Sequence, residues 1–101
     1  MNINDLKKLV DVIKSNLEIQ QVIIFGSYAN GTRDNESDID ICIITNEDKR
    51  KLDLLRYIRQ LLYPFITQPV DLLVYKKDEF EERSLLKNTL EYKIKREGLV
   101  M

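Results

Sequence analysis

The sequence predicts an α+β fold, a layer of helices on one small sheet, and three observations lead there. Apolar residues recur at helical spacing in three separate stretches. Short runs rich in isoleucine and valine, Gln21–Phe25, Asp38–Ile44 and Val70–Tyr75, stand between those stretches. Glycines, prolines or polar clusters mark the joins.

The first helix is expected over Asn4–Leu17, with Asn4 as N-cap and Leu6, Val10, Ile13 and Leu17 on its inner face. Gln21–Phe25 ends at Gly26 and reads as a buried strand. Ser27–Asn30 fits one helical turn, which Gly31 would close in a left-handed conformation before a polar loop over Thr32–Glu36. In the second strand, Asp38–Ile44, the period of two sets Asp38, Asp40, Cys42 and Ile44 on one face and Ile39, Ile41 and Ile43 on the other. Thr45 with Asp48 suggests a capping box opening a helix over Asn46–Tyr63, whose inner stripe is Leu54, Leu55, Ile58, Leu61 and Leu62. Pro64 and Pro69 bound a loop, and Val70–Tyr75 is the third strand. Asp78 with Glu81 marks the start of a last helix running to Glu97, with Leu86, Leu90 and Ile94 inward, and Gly98 stops it. The apolar Leu99–Met101 reads equally as a sheet edge, a fold-back or a docking strip.

At 101 residues the chain is expected to form one domain, residues 1–101, around one core. Sixteen basic against 17 acidic residues argue against binding nucleic acid through bulk charge. The amino terminus does not read as a signal peptide and no apolar run has membrane-spanning length, so a cytoplasmic location is expected and a membrane role is not. The single cysteine, Cys42, sits mid-strand among isoleucines as a packing residue. There is no histidine, which removes Ser-His-Asp and Cys-His catalysis and the commonest zinc ligand. Chemistry must then come from carboxylates, hydroxyls, lysine or arginine, with a hard metal ion.

Asp38 and Asp40 lie on one strand face ~7 Å apart, where two unpaired carboxylates repel by ~2 kcal/mol at an effective dielectric of 20. Asp71 interrupts the apolar run Val70–Val74, and if its strand neighbours the second, three carboxylates converge. No lysine, arginine or histidine lies within those strands to relieve them. A divalent cation with oxygen preference would, and magnesium suits carboxylates together with phosphate oxygens. Gly26 lets backbone approach a ligand closely, and Ser27 at the start of a helical turn offers an amide and a hydroxyl to a phosphate.

Gly26-Ser27, ten intervening residues, Asp38-x-Asp40 and a later strand aspartate, Asp71, together resemble the minimal nucleotidyltransferases of the DNA polymerase β superfamily. The stretch from Val22 to Ile44 carries most of the likeness. Family members of this length are typically prokaryotic antitoxins paired with a small helical HEPN-domain RNase toxin. The resemblance implies a nucleotidyltransferase fold with a mixed three- to four-stranded sheet. It assigns Gly26 and Ser27 to the triphosphate, Asp38 and Asp40 to two magnesium ions, and Asp71 to the catalytic one. It further implies transfer of AMP from ATP to a partner hydroxyl, a tyrosine of the toxin. Asn30 stands where the family commonly has arginine; Arg33 in the next loop could serve instead, or be an ordinary solvated loop arginine. Tyr28, Lys76 and Lys77 are further candidates to meet the nucleotide.

Two other readings start from the same residues. The chain can act as a binding module that neutralises its toxin by covering it, using the basic face Lys49, Arg56 and Arg59 and the Leu99–Met101 tail. It can also modify a small aminoglycoside-like alcohol, against which stands the expectation of a single domain, with little wall to enclose such a substrate.

Overall fold

β2, Ile39–Thr45, is buried along its whole length except at Asp40, and the molecule is organised around it. In the computed structural model, which describes residues 3–30 and 38–101, the sheet has four strands in the order β3-β2-β1-β4. β1 (Ile19–Phe25) pairs antiparallel with β2, and β3 (Val70–Tyr75) pairs parallel with it. β4 (Leu99–Val100) adds antiparallel to the other side of β1, placing Leu99 opposite Ile24. The tail is thus a sheet edge. The Met101 amide extends it by donating to Val22 O at 2.9 Å, and Lys14 Nζ donates to Met101 O at 2.8 Å.

Alternation along β2 sends its residues into two separate cores, which explains why both of its faces are apolar. Ile39, Ile41 and Ile43 pack with Val22 and Ile24 beneath α1 (Ile3–Asn16) and α3 (Lys51–Leu62), where Leu6, Leu9, Ile13, Leu54 and Ile58 meet them. Cys42 and Ile44 pack on the other face with Ile23, Tyr75, Phe80 and Ile94, beneath α4 (Lys77–Ser84) and α5 (Leu90–Glu97). Each fully buried leucine or isoleucine contributes about 1.5–3 kcal/mol. Among the described residues no helix is long and apolar enough to cross a membrane.

Several expectations about the helices are corrected. Asn4, expected as the N-cap, lies inside α1. The helix expected from Asn46 begins at Lys51, because Thr45 ends β2 instead of capping. Its hydroxyl donates to Glu18 O at 2.5 Å and accepts from the Glu47 amide at 3.1 Å, so tertiary pairing takes the group a capping box requires. The helix expected over Asp78–Glu97 is two helices, α4 and α5. Thr89 caps α5 by accepting from the Tyr92 amide at 3.1 Å, while its hydroxyl also bonds Leu86 O and Arg83 O across the break. Leu86 and Leu90, expected inward, are therefore exposed, and only Ile94 reaches the core. α4 starts one residue ahead of the expected Asp78, with Lys76 at its N-cap position and no side-chain cap bond. Gly31, the Thr32–Glu36 loop and Arg33 lie outside the described residues.

Candidate active site

The register of the parallel pair decides which carboxylates meet. Asp40 of β2 stands directly beside Asp71 of β3, and partners in register point to the same sheet face. Asp38 precedes β2, where the Ile39 amide already donates to Pro69 O at 2.9 Å. Asp38 and Asp71 are exposed and Asp40 is half-buried. The Asp40 carboxyl is held above its ordinary value, first by burial, then by the charge of Asp71 and a hydrogen bond with it, and last by Asp38. Among the described residues, no three carboxylate or thiol side chains come close enough to form a ready-made metal cage. The structure brings Asp40 and Asp71 together, and Asp38 lies just ahead of β2 with the weakest influence on Asp40.

Gly26 lies on the other side of Asp40. β1 ends with Phe25 opposite Asp40, and Gly26 turns away with φ +72°, the single left-handed residue among those described. A Cβ at this position would run into the Asp40 carboxylate and sit 3.2 Å from its Cγ. Only a residue without a side chain allows the turn to lie against the acid. The Ala29 amide then donates to Gly26 O at 3.1 Å to close α2, Ser27–Asn30. Ser27 opens this turn, and the amide that opens a helix has no bond inside it. Glycine, serine and carboxylates thus meet at one end of the sheet, with anion-seeking and cation-seeking groups side by side.

The donors present fit a hard divalent cation. They are carboxylate oxygens on adjacent strands, and no ion pair among the described residues engages Asp38, Asp40 or Asp71. The next side chain on the same face of β2, Cys42, is no rival ligand. It is completely buried, and burial together with the nearby Glu91 charge pushes its thiol up to about 12. A protonated thiol leaves the site to oxygen ligands, the set that magnesium prefers.

The other residues expected near the nucleotide have different surroundings in the structure. Tyr28 is buried in the core beneath α1 and α3 instead of stacking at the turn. Lys76 lies beyond the far end of β3 from Asp71, where its Nζ donates to Glu47 O at 2.8 Å, and Lys77 follows it into α4. Among the basic residues expected on a binding face, Arg59 instead donates to Val70 O at 3.1 Å and steadies the start of β3, one residue before Asp71. Two further features emerge only in three dimensions. One is a buried acid in the first turn of α5: Glu91 is 5% exposed and accepts from Arg83 Nε at 2.7 Å and from Tyr75 OH at 2.9 Å. The other is the face of α5 carrying Leu90, Lys93, Ile94 and Glu97, which lines a gap against Phe25, Gly26 and Ala29. The 3.6-residue period already puts those four on one helix face, but only the tertiary structure aims that face at Gly26.

Comparison with known proteins agrees with this geometry. Residues 6–96 match the nucleotidyltransferase domain family, and the chain belongs to it. It is 37% identical over 75 residues to a candidate protein adenylyltransferase of Methanocaldococcus jannaschii, MJ0435, covering 74% of this chain and 80% of that one. A second candidate protein adenylyltransferase of the same organism, MJ0141, is 34% identical over 80 residues, with 74% and 77% covered. Two solved structures share the fold. A chain from a toxin–antitoxin structure determined with AMP-PNP superposes with a TM-score of 0.66 at 24% identity, over 99% of this chain and 72% of that one. A candidate nucleotidyltransferase from Sulfolobus solfataricus gives 0.61 at 23% identity, over 96% and 76%.

Proposed function

We propose that this chain is an antitoxin that transfers AMP from ATP to a hydroxyl of a partner protein, a tyrosine of a HEPN-type RNase toxin. The observation that carries the reading is Asp40, held between Asp71 on the next strand and the Gly26 turn. The adenylyltransferase relatives and the likeness to a toxin–antitoxin chain support the type of acceptor and partner.

Gly26 and Ser27 receive the phosphates at the start of α2. Asp38 and Asp40 would hold two magnesium ions and Asp71 the catalytic one of them. Bound there, magnesium lowers the pKa of the acceptor hydroxyl and neutralises charge on the phosphates. The acceptor oxygen forms a bond to the α-phosphorus, the bond from that phosphorus to the bridging oxygen breaks, and pyrophosphate leaves with the electron pair. Asp71, which is exposed, takes the proton.

Labelled ATP, magnesium and the purified chain with its partner test this directly: label is expected on the partner, and Asp40→Asn should abolish it. If no protein is labelled and Asp40→Asn still protects cells, the reading is wrong. One observation favours neutralisation by covering as a second reading. Leu85, Leu86 and Leu90, around the α4–α5 break, are 75%, 54% and 49% exposed. Full protection by a variant with Asp38 and Asp40 both changed to Asn would favour it.

A further inference from the structure

The face of α5 turned toward Gly26 carries a charge that the reading above does not use. Leu90, Lys93, Ile94 and Glu97 follow one another at i, i+3, i+4 and i+7 and, with Phe25, Gly26 and Ala29, line a gap of about 90 Å³. Sites that enclose a whole small molecule measure roughly 300–1,000 Å³, so this one admits only a part of a ligand. Its charged lining residues are Lys93 and Glu97. Both are exposed, and neither joins an ion pair among the described residues.

The order of groups across this end of the sheet gives Lys93 its meaning. β3, β2 and β1 lie side by side, so Asp71, Asp40 and Gly26 follow in sequence across it. α5 packs over β1 and leads into β4, the strand beyond. Acid therefore stands on one flank of the Gly26–Ser27 turn and a lysine on the other. Among the described residues the cation that lines the gap beside this turn is Lys93, so a polyphosphate bound through a cation at the carboxylates can run toward it, over the turn and into the gap.

We propose that Lys93 receives the terminal phosphates of the bound nucleotide. The α-phosphate lies by Asp40 and Asp71, the chain of phosphates crosses Gly26–Ser27, and the β- and γ-phosphates meet the Lys93 ammonium. This rests on the nucleotidyltransferase reading and adds the orientation of the substrate to it. When the bond between the α-phosphorus and the bridging oxygen breaks, charge grows on the pyrophosphate beside Lys93, where a fixed cation stabilises it most. A lysine suits the task, being a compact charge on a flexible stem that can follow the leaving group. Glu97, one turn further along the same face, opposes the anion and favours its release.

The test measures displacement of a fluorescent ATP analogue by MgATP and by AMP from the full chain, with Lys93→Ala, Lys93→Arg and Glu97→Gln beside the wild type. Loss of a charge-assisted bond predicts MgATP affinity about ten- to a hundredfold weaker in Lys93→Ala. AMP, which lacks the terminal phosphates, should change less than about twofold on the same scale. Lys93→Arg should recover most of the MgATP affinity, and Glu97→Gln should tighten it. Unchanged MgATP binding in Lys93→Ala overturns the assignment. So does an equal loss for MgATP and AMP, which would place Lys93 at the nucleoside or in the fold. A wild-type chain that binds neither ligand overturns the nucleotidyltransferase reading itself.

Discussion

Replacing Gly26 with alanine should couple to Asp40, and the structure sets the size of the effect. The substitution carries two separable costs. A non-glycine residue at φ +72° costs ~1–2 kcal/mol from backbone sterics alone. The new Cβ also collides with the Asp40 carboxylate, which must leave its place between Gly26 and Asp71, adding ~1–3 kcal/mol of overpacking. Gly26→Ala in the wild-type background is thus expected to lose ~2–5 kcal/mol. In an Asp40→Ala background the carboxylate is gone. The Asp40 Cβ that remains stands 3.6 Å from the position of the added methyl, an ordinary contact. There the same change should cost only the backbone strain.

Urea unfolding of the four proteins in this cycle, followed by far-UV circular dichroism without divalent cations, gives the coupling directly. A coupling of ~1 kcal/mol or more, well above the ~0.3–0.5 kcal/mol within which independent sites add, is the expected result. Equal costs in both backgrounds would show that Gly26 and Asp40 do not touch. The account of the glycine as the device that seats the turn against the acid would then be wrong.

Asp40→Asn should raise the urea midpoint at pH 7 while ending the proposed AMP transfer. The folded-state value of this carboxyl is raised, so its ionised form opposes folding at neutral pH, and stability grows as pH falls through the raised value; the amide removes that term. Glu91 behaves oppositely. Burial alone would raise it, but hydrogen bonds from Arg83, the backbone and Tyr75 together bring it below its ordinary value of 4.5. It therefore stabilises the fold above that value, and this contribution is lost as pH falls below 4.5 toward the lower folded-state value; acid titration of stability should show the loss in the wild type and not in Glu91→Gln. Tyr75→Phe removes one bond to the same carboxylate and should cost ~1.5–3 kcal/mol in urea unfolding at pH 7. Thr89→Ala removes the cap of α5 and should cost ~1 kcal/mol, with faster amide exchange confined to Leu90–Tyr92.

Most of the sheet was legible because its strands are bounded by residues with one physical meaning each. Gly26 must end β1, Pro69 must precede β3, and an aspartate inside an isoleucine run is expensive unless something uses it. The same expense exposed Asp40 and Asp71 as candidates before any fold was known. Helix boundaries were less legible because hydroxyl side chains choose between local and distant partners. Thr45 has the pattern of a cap, yet its hydroxyl goes to Glu18 O, a partner 27 positions away. Thr89 was the cap that mattered, and the apolar spacing of Leu86, Leu90 and Ile94 concealed it by continuing the helical period through the break.

Lys93 could not be read from sequence at all, since its meaning depends on where α5 lies. That placement is owed to Gly98. A Cβ there would strike Ile23 Cγ2 and come 2.5 Å from Ile94 O, so a residue without a side chain is what lets the end of α5 close onto β1 and enter β4. Helix and edge strand then have one joint position, and the α5 face carrying Lys93 and Ile94 is brought against Gly26. A glycine that reads in sequence as a helix stop is, in three dimensions, the contact that brings a cation to the side of the turn opposite the acids.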